Sequence, residues 1–108
     1  MLETIYQLTQ TPAKLIEKVV DDQHVAINHM ILPPGDALPE HSTNSHVYMI
    51  VTKGEITLSL SDQPAHVYQS GTIINIPFDL KMNAINQRDQ TTELVVVKSP
   101  HPRDMIKT

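Results

Sequence analysis

The stretch GDALPEHSTNSHVYMIVTKG, residues 35–54, carries two kinds of information. Its second part, HVYMIV (His46–Val51), is an unbroken run of β-branched, aromatic and aliphatic residues, typical of a strand buried on both faces. Lys53-Gly54 then reads as a tight turn, with Gly supplying the positive φ. ITLSLS follows, with Ile56, Leu58 and Leu60 alternating against Thr57, Ser59 and Ser61, the period of a half-buried strand. Together these segments read as a β-hairpin. The first part is different: from Gly35 through the turn-like STNS it is polar, punctuated by Pro39, and it carries His41 and His46.

On either side of this stretch, prolines at 12, 33, 34, 39, 64, 77, 100 and 102 cut the chain into short pieces, which favours many strands over long helices. HVAINHMIL (His24–Leu32) is largely apolar and stops at Pro33-Pro34-Gly35. Asp62–Pro64 is a turn, and after Ser70-Gly71 come TIINIP (Thr72–Pro77), LKMNAIN (Leu80–Asn86) and ELVVVK (Glu93–Lys98). AKLIEKVV (Ala13–Val20) fits a helical turn or a strand, and Val19-Val20 with its surroundings favours the strand. The tail PHPRDMIKT is a short helix or a frayed end. Short strands at this spacing predict an all-β sandwich or closed barrel. The 108 residues predict one domain, with a barrel core at about 13–100 and a tail at 101–108. With three Tyr, one Phe, no Trp and five Met, the core is aliphatic, and residues such as Met49 and Met82 serve as adaptable filler.

The totals remove several classes of function. No Cys means no disulfide, thiolate metal site or Cys nucleophile. A net charge of −4 with scattered Lys and Arg does not make a nucleic-acid surface. No apolar run approaches the ~20 residues of a membrane helix, and the polar start MLETIYQLTQTPAK lacks the pattern of a signal peptide. The expectation is a soluble, cytoplasmic protein. Ser42 and Ser45 belong to no nucleophile elbow or ordered triad. Three widely spaced glycines form no phosphate loop. Glu17, Asp21, Asp22 and Asp36 read as solvated.

From about Leu32 to Pro100 the chain resembles the small single-domain cupins, a jelly-roll or double-stranded β-helix family. The family's first motif is a Gly, five residues, His-x-His, three or four residues, Glu, six residues and Gly. Gly35, His41 and Gly54 match it in spacing. The second motif is a Gly, five residues, Pro-x-Gly, two residues, His, three residues and Asn. Gly71, Pro77 and Asn86 match it, while Asp79 stands at the second Gly. The resemblance implies an all-β jelly-roll barrel. The departures fall on the family's metal ligands: Thr43 replaces the second His, Val47 the Glu and Met82 the His of the second motif.

A divalent transition metal, the cofactor that the resemblance implies, needs at least three His or carboxylate ligands. Of the usual four, His41 alone remains. Two functional readings therefore stand. In one, a small, partly apolar ligand binds without a full metal site in the barrel mouth, near His41, Asn44, His46, Met82 and Asn86. In the other, His41, His46 and His29 converge, with Asn44 or Asn86, as an atypical metal site of an isomerase or dioxygenase. A structural or regulatory dimer with no ligand is a third reading. Each His also has a plainer role: His41 as a structural residue, His29 as a hydrogen-bonded core residue, His46 on a surface or dimer face, and His24, His66 and His101 in solvent. The second face of HVYMIV, with Tyr48 and Ile50, requires a cover, and the resemblance implies a homodimer.

Overall fold

A computed structural model describes residues 1–105, and within them nearly all regular structure is β. The strands are β1 (Leu15–Asp21), β2 (Ala26–Leu32), β3 (His41–Ser42), β4 (Val47–Lys53), β5 (Glu55–Leu60), β6 (His66–Gln69), β7 (Ile73–Ile76), β8 (Lys81–Ile85) and β9 (Thr92–Lys98). They form a five-stranded sheet in the order β1-β2-β9-β4-β7 and a four-stranded sheet in the order β3-β8-β5-β6. All the pairings are antiparallel. The tail contains one 3₁₀ turn, Pro102–Asp104, and its last three residues lie outside the described part of the chain.

Alternation along each strand builds the core. Met30 and Leu32 of β2, Val47, Met49 and Val51 of β4, and Leu94 and Val96 of β9 face inward from the larger sheet. Ile56 and Leu58 of β5 and Met82 and Ala84 of β8 meet them from the smaller one. The core is aliphatic, with Tyr68 packed at its margin.

One sequence expectation changes here. β4 and β5 do not form a hairpin: β4 pairs with β7 and β9, and β5 with β6 and β8. Gly54 is a corner at which the chain leaves one sheet for the other. A second corner, at Ser70-Gly71, runs beside it and is joined to it by Gly71 N–H to Val51 O (2.8 Å) and Ser70 N–H to Gly54 O (3.0 Å). Two strands thus wind together from sheet to sheet, as in a double-stranded β-helix. The turn is visible in sequence, but the sheet that its second strand joins depends on partners distant in the chain.

The outer face of the larger sheet carries an attachment that the sequence did not suggest. His29 is fully buried there, with Nδ1 2.8 Å from Glu17 Oε2 across the β1–β2 pair. Glu17 also accepts from the Thr9 amide (2.9 Å) and the Thr9 hydroxyl (2.8 Å), which ties the N-terminal arm to β1. These bonds, that of His29 foremost, hold the Glu17 carboxyl below its ordinary value of 4.5. A depressed folded-state value means that the attachment is complete above the unfolded value and is lost as pH falls through the folded one. The protection factor of the Thr9 amide, its exchange rate relative to that of the unfolded chain at the same pH, should therefore hold at pH 4.5 and fall only below it. Protection already lost above that pH would contradict the assignment.

Candidate functional site

Between the two sheets, at the end of the barrel where β3 meets β8, lies a cavity of about 30 Å³. Met30, Val47, Met49, Val96 and Lys98 line it from the larger sheet, and His41 and Met82 from the smaller. Leu38, Thr43 and Asn44 complete the wall. The four positions at which the family motifs place metal ligands, occupied here by His41, Thr43, Val47 and Met82, all open onto this one cavity. The strand framework has kept the geometry of a ligand set while the side chains have changed.

The donors at these positions do not fit a divalent transition metal. His41 Nδ1 is 2.7 Å from Pro39 O, and since a carbonyl only accepts, Nδ1 is the donor of this bond and Nε2 is the ring nitrogen left for a ligand. Thr43 is almost fully buried, and its hydroxyl donates to Pro77 O (2.7 Å) and accepts from Leu80 N–H (3.0 Å). Its own amide and carbonyl bond to Leu80 O and Asp79 N–H. Thr43 is thus a latch for the turn between β7 and β8. In that turn Asp79 keeps the positive φ (63°) of the glycine it replaces. Val47 offers no donor, and Met82 only a soft thioether. One imidazole cannot hold such an ion against water, and no group of three or more His, Cys, Asp or Glu side chains suited to a metal exists among the described residues. Thr43→Val should leave the cavity's shape unchanged and, by stranding Pro77 O and Leu80 N–H, destabilise the fold by about 2 kcal/mol, measurable by urea unfolding.

The structure brings together some of the residues expected at the mouth and separates others. His41, Asn44 and Met82 share the cavity wall. His46 is exposed, with its ring 6.4 Å from that of Phe78. His29 alternates with the core residue Met30, so it points to the outer face of the sheet, where Glu17 holds it. The three histidines therefore do not converge. Asn86 lies at the opposite end of β8, roughly 13 Å along the strand from Met82 at ~3.3 Å per residue. There it is fully buried, bonded to Leu32 O, Gln90 O and Arg88 N–H.

Lys98 was absent from the residues singled out at the mouth, although the alternation Leu94, Val96, Lys98 in ELVVVK carries the signal. It is the inward-facing residue that ends β9, paired with Val47 on one side and Ala26 on the other. It also borders a second, outer hollow of about 140 Å³, which shares Asn44 with the first and is lined further by Lys18, Asp21, Asn28 and His101. His101 is not in solvent as expected. Its side chain is only 13% exposed and its Nε2 bonds to Asp21, whose carboxyl that contact holds below its ordinary value.

Comparison with known proteins follows the same lines. No protein-family model matches the chain. An uncharacterized protein of Methanocaldococcus jannaschii is 42% identical over 106 residues, covering 97% of this chain and 91% of that protein. Its crystal structure, described as an RmlC-like cupin family protein with a double-stranded β-helix fold, superposes with a TM-score of 0.91 at 43% identity and covers 95% of each chain. A cupin superfamily protein from Desulfitobacterium hafniense matches with a TM-score of 0.74 at 11% identity, covering 87% of this chain and 84% of that one. A cupin domain from Bordetella pertussis matches at 0.69 and 18% identity, over 84% and 97%. The last two likenesses concern the fold alone.

Proposed function

Since the chain belongs to the RmlC-like cupin family, we propose that it uses the barrel mouth of that fold to bind a small, partly apolar molecule without a transition metal. One observation carries this reading. The four ligand positions of the family still converge on one cavity, and they hold one imidazole, one hydroxyl already committed to the backbone, an isopropyl group and a thioether. Such a wall suits an apolar group better than a hard cation. Met30, Met49 and Met82 make it adaptable in shape. Asn44 and Lys98 at its opening supply the polar contacts that fix orientation.

The test uses chelator-treated protein labelled with ¹³C in its methionine methyl groups and a library of small organic fragments. Shifts confined to Met30, Met49 and Met82 are expected for some fragments without added metal. Fragments that shift those methyls only after a divalent metal is added would overturn the reading.

The proposal includes a homodimer. Tyr48 (42% exposed) and Ile73 (64%) stand on the outer face of the larger sheet, and the N-terminal arm presents Ile5, Tyr6 and Leu8 to solvent. A second copy of the chain offers the same apolar face and arm in return. Light scattering should give a dimer mass, with Tyr48→Glu shifting it toward the monomer. A monomer at all concentrations would remove this part.

A further inference from the structure

The mouth contains a positive charge that no described side chain neutralises. The Lys98 side chain is half-buried beside Val47, at the rim of the cavity on which the ligand positions converge. Among the described residues no carboxylate lies within ion-pair distance of it. Of the charged or titratable groups around the two hollows, Lys18 is a second cation, His41 has its Nδ1–H engaged by Pro39 O, and Asp21 is the one carboxylate, bonded to His101 and in the field of Lys18 and Arg103 rather than of Lys98. Burial lowers the pKa of the Lys98 ammonium, and repulsion from Lys18 adds to the effect. A partly desolvated ammonium beside a second one is unfavourable unless an anion joins it.

We propose that the barrel mouth is a site for a short-chain organic carboxylate, with its charged end against Lys98 and Asn44 and its apolar end directed among Met30, Met49 and Met82. The inference rests on the metal-free binding reading and gives it a ligand class: the fixed ammonium supplies the positive charge at the mouth. Size narrows the class. The inner cavity of about 30 Å³ has the volume of about one water, so the end of the ligand that enters it is no larger than a methyl group unless the methionines move. The outer hollow of about 140 Å³ takes the remainder.

The experiment titrates butyrate and its neutral isostere butyramide into the same ¹³C-methyl-methionine protein, wild type, Lys98→Arg and Lys98→Gln. Butyrate should shift the three methyls and bind roughly tenfold or more tightly than butyramide, the difference made by one charge-assisted hydrogen bond. Lys98→Arg should keep this preference and Lys98→Gln should abolish it. Because the wild type alone compares the two ligands, the result does not depend on the variants folding. Equal binding of butyrate and butyramide, with the methyls shifted by both, would overturn the carboxylate proposal and leave metal-free binding standing. No shift with either compound, in a protein whose methyls respond to other neutral fragments, would overturn it as well. No response to any fragment would overturn both.

Discussion

Asn86→Ala is expected to destabilise the protein by about 3–5 kcal/mol and to lower its Tm by more than about 10 °C, while the cavity at the opposite end of β8 keeps its shape. The side chain is fully buried and satisfied on every arm. Its amide donates to Leu32 O (2.8 Å) and Gln90 O (2.7 Å), and its oxygen accepts from Arg88 N–H (3.0 Å). Its backbone adds bonds to Gly35 N–H and Asp36 O, so one residue joins the corner after β2 to the loop before β9. Alanine removes three hydrogen bonds together and strands a buried carbonyl, Leu32 O, for which water has no access. Asn86→Asp is expected to be no better, because the carboxylate oxygen that replaces the amide would face two carbonyls. Thermal unfolding followed by circular dichroism measures both. A loss under about 1 kcal/mol would show that water replaces these bonds and that Asn86 is not the clamp described.

Gly54→Val should cost about 2–5 kcal/mol, from left-handed strain of about 1–2 and overpacking of about 1–3. Gly54 has φ of +75°, and a Cβ there would lie 2.6 Å from Thr91 O and 2.9 Å from Thr92 Oγ1. The backbone of the loop before β9 passes directly over the sheet-to-sheet corner. Thr92 is fully buried and donates its hydroxyl to Glu55 O, so the contact cannot open without breaking a second bond. Gly71 makes the neighbouring corner at φ of +89° but has nothing within 4 Å of a Cβ. Gly71→Ala should thus carry only the conformational term, about 1 kcal/mol. Urea unfolding of the two variants separates the effects: a similar loss in both would mean that the close approach at Gly54 is not a constraint.

The family's turn chemistry made the fold legible. Gly35, Gly54 and Gly71 all have positive φ, and Pro77 and Asn86 stand at the ends of turns, so these residues report backbone geometry that persists after the chemistry has changed. The strands with strong alternation or apolar runs were equally plain. β6 was missed because His66, Val67 and Gln69 are exposed and leave no hydrophobic pattern, and β3 because two residues carry no period. The hairpin reading of β4 and β5 failed because a turn residue does not reveal which sheet follows. At the site, the motif position put Met82 on the cavity wall, and the alternation of β9 carries the same signal for Lys98. The partnership of His29 with Glu17 depends on the β1–β2 register, which a bulge between Lys18 and Val20 displaces, and no local pattern records it. Asn86 stood out by its motif position, but its role follows from partners at positions 32, 88 and 90.

Metal content under saturating conditions gives the most direct test of a barrel mouth that works without a transition metal. The purified protein would be dialysed against iron, manganese, zinc or nickel, freed of excess ion, and measured by elemental analysis beside His41→Ala. Retention well below one equivalent, equal in the two proteins, is the predicted result. One equivalent of a single metal, held through dialysis and lost in His41→Ala, would contradict it.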